Sequence, residues 1–293
     1  MGRLRNLLRF SRFLYLLLAS LTYALGAGIA RYLGQGHRST AFWLGLVWVV
    51  LLLLSMSHLT EVFRPSNEPL VAGEKPSERL ALRNASLLVA TAVLTCAAIA
   101  VFLMAHQGLL SPLEWFFLGL TLLVSLAYAV PPLRLAYTGF GELFLAVLLA
   151  DLIPAFSFLL QAGEFHRLLA LIVFSLTSLA LAFFLVLDFP SYGEDLKYGR
   201  RTLLTRLGWE RAVPLHHTLV LLAYLLFMAS PVFGVPWTVI WPVFLTFPFG
   251  ILQILWLRNI ALGGRPMWNF LITIAVSVLG LTSYFLTLTF WIR

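Results

Sequence analysis

Two short polar stretches interrupt an otherwise apolar chain, and both space their chemical groups alike. Glu61, Arg64 and Glu68 lie in TEVFRPSNE; Asp188, Ser191 and Asp195 lie in DFPSYGEDLKYGRRTL. Each set has the spacing i, i+3, i+7, which on a helix falls within about 60° of arc and so on one face. Pro65 and Pro190 predict that this helical geometry is kept only in part. Glu61 and Glu68 facing Asp188 and Asp195 would make an oxygen-rich site suited to magnesium, which takes one or two carboxylates together with substrate phosphates and water. Lys75, Arg79, Lys197, Arg200 and Arg201 are near in sequence and could neutralise a diphosphate, Arg by forked hydrogen bonds and Lys as a point charge. The chemistry suggested is capture of a phosphorylated lipid, its head at the polar stretches and its tail among the helices.

The elements that must position these groups are membrane helices. Of 293 residues, 61% are hydrophobic and only 11% charged, and mean hydropathy is +0.94, whereas soluble domains are about a quarter charged. Nine apolar runs are long enough to cross a bilayer: about 10–34, 41–58, 85–105, 113–131, 140–162, 168–187, 213–233, 236–257 and 268–291. The first, preceded by Arg3, Arg5, Arg9 and Arg12, reads as a retained span because no small-residue cleavage site follows it. With the N-terminus in the cytoplasm, 16 of the 20 Lys and Arg residues fall on inside segments, leaving Arg31, Arg38, Arg167 and Arg293 outside. This bias predicts a multi-pass protein of the cell (inner) membrane, N-terminus cytoplasmic and C-terminus outside. The formal charge of +8 is then topology control and contact with lipid head groups. No basic groove with interleaved aromatics suggests nucleic acid. The expected fold is all-α, one nine-helix domain over 1–293, with polar cytoplasmic loops after spans 2 and 6.

Pro131 and Pro132 break the fourth span, and irregular backbone at that depth survives only inside protein or beside a water-filled cavity. Asp151 sits in the fifth span as either a functional acid or a hydrogen-bonded one between helices. His216 and His217 are adjacent and so on different faces, which favours an interfacial position over a metal pair, for which i, i+4 is the better spacing. Cys96 reads as a packing residue. A transporter reading gains little, because paired discontinuous helices with intramembrane charges are missing from the pattern.

The motifs then become specific. LDFPSYGEDLKYGRRTLLTRLG resembles the second aspartate motif of the UbiA superfamily of intramembrane prenyltransferases; LAYAVPPLRLAYTGFGE resembles the segment after its fourth helix; TEVFRPSNE stands where its first motif belongs. The run from Tyr128 to Glu142 is similar to the branch that prenylates 1,4-dihydroxy-2-naphthoate in menaquinone synthesis. The resemblance implies Mg2+-assisted transfer of a polyprenyl group from a polyprenyl diphosphate to an aromatic acceptor, through an allylic cation that the electron-rich ring captures. It implies Glu61, Glu68, Asp188 and Asp195 as catalytic metal ligands. It implies Arg64, Lys75, Tyr128, Arg134, Ser191, Tyr192, Lys197, Arg200 and Arg201 as substrate contacts. Three positions depart from the family pattern: Thr60 replaces an Asn, while Arg64 and Ser191 each replace the middle Asp of their motif. A reversed charge a few ångströms away is worth about 4 kcal/mol at an effective dielectric near 20. Either Arg64 takes over part of the metal's work, or the chain keeps the fold as a non-catalytic lipid-binding or assembly protein.

Overall fold

The computed structural model describes residues 2–71 and 73–293, and the side chains of Gly2 to Leu4 are outside that description. Arg3 of the basic N-terminal run, as a side chain, and Ala72 of the first polar loop therefore lie outside the described residues. The chain order is α1 (Gly2–Phe10), α2 (Phe13–Tyr32), α3 (Ser39–Val62), α4 (Pro76–His106), α5 (Pro112–Ala129), α6 (Gly141–Val147) and α7 (Ile153–Ala162). There follow α8 (Arg167–Asp188), α9 (Tyr192–Tyr198), α10 (Leu203–Leu207), α11 (Trp209–Ala229), α12 (Trp237–Ile240), α13 (Phe247–Ala261) and α14 (Trp268–Ile292). Among the described residues, nine helical stretches are long and apolar enough to span a membrane, at the places the hydropathy predicts. The all-helical, polytopic architecture expected from the sequence is what the chain adopts.

Local chemistry sets the helix ends. Pro76 opens α4 while the Glu78 carboxylate accepts the Lys75 backbone N–H at 3.3 Å. Pro112 opens α5 while Glu114 accepts from the Ser111 N–H at 2.8 Å. Both are capping boxes in outline, with proline where a donor is not needed. The fourth span ends at Ala129, just before the Pro131–Pro132 pair, as their chemistry requires. The fifth span is α6 and α7 joined through a wide π turn, Leu148–Leu152, that holds Asp151.

The two polar loops are shorter than the sequence suggests. α3 runs on to Val62, and α8 continues through a tight turn at Phe189–Ser191 into α9, so Pro190 bends the helix without ending it. Apolar packing joins both halves in one continuous core, with α3 on α4, α2 on α7, α8 on α11 and α14 on α2. The α2–α7 crossing is so close that a Cβ on Gly26 would stand 2.0 Å from the Pro154 carbonyl oxygen. Among the later helices the cross-links are neutral: Tyr224 to Thr246 at 2.8 Å, Thr246 to Thr282 at 2.7 Å, and His216 Nε2 to the Gln253 amide at 2.8 Å. His216 is fully buried, not interfacial, because the helix starts at Trp209 and carries it into the bundle. Cys96 is exposed on α4 instead of packed.

Candidate functional site: an arginine-rich mouth between two loops

Both polar loops, the α1–α2 break and the turn after α5 meet at one end of the bundle. Arg12, between α1 and α2, reaches Glu61 at the end of α3 at 3.2 Å. Arg64 is bonded to both acids of its own loop, Glu61 at 2.5 Å and Glu68 at 3.1 Å, and donates to the Pro69 carbonyl at 3.0 Å. Arg200, from the second loop, stands between Glu68 at 3.8 Å and Asp195 at 3.7 Å. One guanidinium thus links acids of the two loops, and Asn67 adds a hydrogen bond to the Tyr198 carbonyl. Ser191 donates to Asp195 at 3.0 Å, so these two positions share a face where α8 runs on into α9.

The backbone explains how the arginines are aimed. Gly199 ends α9 at φ 67°, a conformation costly for a side chain with a Cβ. With it, the Arg200 N–H reaches the Asp195 carbonyl at 2.8 Å and the Gly199 N–H the Leu196 carbonyl at 3.3 Å, the paired bonds of a Schellman turn. That turn folds Arg200 back over Asp195. Among the described residues, Arg12 (φ 46°) and Arg134 (φ 45°) are the non-glycine residues with left-handed backbone, each a strain of order 1–2 kcal/mol. Both are arginines of this mouth, and strain of this kind gathers at functional sites. Arg134 donates to the Phe63 carbonyl, which ties the turn after α5 to the first loop. Arg134 and Arg200 each hold their guanidinium carbon 5.5 Å from the centre of the Tyr137 ring, a cation–π arrangement.

Electrostatics follow from this packing. Burial works against the charge on Arg200, but Asp195 and Glu68 outweigh it and hold its pKa above the ordinary guanidinium value. Burial, with the charge of Glu68 adding to it, raises the Tyr137 phenol, so it remains a proton donor. Asp188 adjoins the carboxyl of Glu142, and Glu142 accepts the Leu203 N–H at 3.1 Å. Of the predicted site residues, Glu61, Arg64, Glu68, Arg134, Asp195 and Arg200 are brought together, with Ser191 beneath them. Tyr128 is buried close behind, 3.5 Å from where a Cβ on Gly141 would lie. Arg201 lines an adjoining cavity of about 590 Å³ with Asp195, Arg200 and Arg206. Lys75 and Lys197 are exposed, Lys197 lying over the Tyr198 ring, and Tyr192 packs edge-on to Trp209. Arg79 is taken up by Glu74 at 2.8 Å. Asp151 lies about 13 Å of helix from Glu142, lining a separate cavity with Phe165, His166 and Arg167.

Sequence reasoning missed Arg12, Tyr137 and Glu142. Arg12 was hidden among topology-setting arginines. Tyr137 and Glu142 stood inside a quoted motif without a role, and only the fold shows what they touch.

The expected magnesium ligands do not converge as a set. Arg64 joins Glu61 to Glu68, Arg200 joins Glu68 to Asp195, Ser191 takes up Asp195, and Asp188 faces Glu142. Among the described residues no group of three or more His, Cys, Asp and Glu side chains is arranged to hold a metal ion. Glu61, Glu68 and Asp195 are each paired with a guanidinium group, and Asp188 is not.

A bundle of nine apolar helical stretches among the described residues, with an ionic mouth between the loops after spans 2 and 6, defines a class of all-helical polytopic membrane protein. Residues 62–271 match the UbiA prenyltransferase family, and the chain belongs to that family. It is 31% identical over 127 residues to a 1,4-dihydroxy-2-naphthoate octaprenyltransferase of Bacillus subtilis (strain 168), an alignment covering 43% of this chain and 40% of that relative. Three solved structures share the fold. A UbiA homolog from Archaeoglobus fulgidus has a TM-score of 0.64 at 16% identity, covering 98% of this chain and 100% of that one. The same homolog bound to DMAPP and Mg2+ scores 0.62 at 15% identity, covering 96% and 99%. The apo UbiA homolog from Aeropyrum pernix K1 scores 0.61 at 16% identity, covering 93% and 97%.

Proposed function

We propose that this protein transfers a polyprenyl group from a polyprenyl diphosphate to an aromatic quinone precursor, within the cell membrane and with its mouth on the cytoplasmic side. The observation that carries this reading is the convergence of Arg12, Arg64, Arg134 and Arg200 with Tyr137 where the two family motifs meet. Fixed donors aimed at a departing diphosphate are the kind of electrostatic stabilisation that dominates much catalysis. In the reaction the allylic C–O bond breaks and its electron pair stays on the diphosphate. The ring carbon of the acceptor then bonds the allylic carbon, and the ring loses a proton. Arg200 and Arg64 would hold the leaving group, Asp195 and Glu68 would orient those arginines, and the protonated Tyr137 phenol would donate toward it. DMAPP and Mg2+ are bound together in the Archaeoglobus homolog. Magnesium assistance in this chain is an expectation from that family setting, and Arg64 occupies the place beside Glu61 and Glu68 where its first ligands were expected.

The test is product formation. Membranes containing the chain, supplied with magnesium, geranyl diphosphate and either dihydroxynaphthoate or hydroxybenzoate, should yield a prenylated adduct by mass spectrometry. Asp195→Ala and Arg200→Ala should cut its rate of formation by about 10²–10³-fold. Arg64 and Ser191 support a second reading, a lipid-binding or assembly protein without catalysis. That reading gains if no adduct forms while the Bacillus relative is active in parallel membranes.

A further inference from the structure

We propose that Arg64 does the work of a metal ion, so that this chain binds the diphosphate end of its substrate without a divalent cation. The inference rests on the prenyl-diphosphate reading above and concerns how that head group is held.

Three observations carry it. First, the Arg64 side chain, only 17% exposed, is held on both flanks by Glu61 and Glu68, so its positive charge is in place before any ligand arrives. Second, Arg64, Arg134 and Arg200 each have a buried Nε–H with no hydrogen-bond partner. A buried guanidinium donor left unmade is costly, and three around one mouth call for an acceptor rich in oxygen and negative charge. A diphosphate is such an acceptor. Third, the acids that would have served a cation are already engaged by these arginines, Glu68 by two of them. Buried oxygens without hydrogen-bond partners also occur there, on Glu68 and Asp188, whereas the Glu61 Oε2 is already in ion-pair contact with Arg64. They make the metal-held arrangement the outcome to test against, since a cation would use those oxygens and an anion would use the Nε–H groups.

A guanidinium offers planar, directional donors that match phosphate oxygens in pairs. It also carries its charge permanently. The acids then become a frame: their charges hold the arginines extended into the mouth and offset the cost of burying them. This reverses the order expected from the sequence, in which acids hold the metal and bases assist.

The experiment is binding of labelled geranyl diphosphate to the purified full chain in lipid nanodiscs, in EDTA and in magnesium. The expected result is a Kd in EDTA within about threefold of that in magnesium, with Arg64→Ala weakening the EDTA value about tenfold or more, as loss of a charge-assisted contact implies. Arg64→Lys, which keeps the charge without the fork, should fall between. If Arg64→Ala fails to fold by thermal melting, Arg64→Lys and the wild-type comparison carry the test. Binding that needs magnesium in the wild type, or that is indifferent to Arg64, overturns the inference. If such magnesium-dependent protein still forms the prenylated adduct, the proposed function stands alone. Absence of binding in both buffers overturns both.

Discussion

The two polar loops have the same i, i+3, i+7 spacing, yet their middle positions differ in kind. In the first loop the middle position is Arg64, an internal cation bonded to the acids on either side. In the second it is Ser191, a neutral hydroxyl shared between the Asp195 carboxylate at 3.0 Å and the Asp188 backbone carbonyl at 3.1 Å. The first loop is bridged internally by its own arginine. The second keeps Asp188 and Asp195 apart and sends Arg200 across to the first. The comparison teaches that charge reversal and charge removal at equivalent positions have unequal consequences: one creates a new fixed charge, the other only trims an old site.

Mutations can break or sharpen that contrast. The largest effect should come from Arg200→Ala, because Arg200 serves both loops at once; prenyl transfer should fall by about 10²–10³-fold, the scale for removing a donor from a charge-stabilising site, measured as initial rate in membranes. Next, Arg64→Ala and Ser191→Ala should differ plainly when the same rate assay is run on both. Arg64→Ala should cost about tenfold or more and Ser191→Ala about fivefold or less, the usual worth of a hydrogen bond to a charge against a weaker neutral donor. Equal losses would remove the distinction between the loops. Gly199→Val should destabilise the second loop alone by about 1–2 kcal/mol, from the left-handed backbone it forbids. Its readout is faster amide exchange over 195–205 with the first loop unchanged. The smallest effect is expected of Asn67→Ala, which removes a link from one loop to the other; about 1 kcal/mol should be seen as increased exchange over 63–71 and 199–202.

Much of this fold was legible in the sequence because hydropathy acts over whole spans. A run such as Leu168–Leu187 has one stable option in lipid, since a helix satisfies its own backbone. The site was legible in part. The i, i+3, i+7 sets located the loops, and GRRT located Arg200. What spacing could not show is which opposite charges meet. Whether Glu68 faces a cation or Arg200 depends on the Schellman turn at Gly199, which brings Arg200 across to the first loop. Arg12 was equally opaque, because an arginine at a helix break and one that merely sets topology are written with the same letter. The extent of the loops was misjudged for a local reason: Pro190 falls where a tight turn can absorb its missing N–H, so α8 passes through it.

The bridge that Arg64 makes between Glu61 and Glu68 also bears on how such a chain can change over generations. Restoring an aspartate at position 64 by itself would gather three carboxylates where two now share a cation, at a repulsion of about 4 kcal/mol per close pair at an effective dielectric near 20. That is a large share of a typical stability margin of 5–15 kcal/mol. The return path to an all-acid loop therefore has to supply the counter-ion in the same step, and drift one residue at a time meets a barrier.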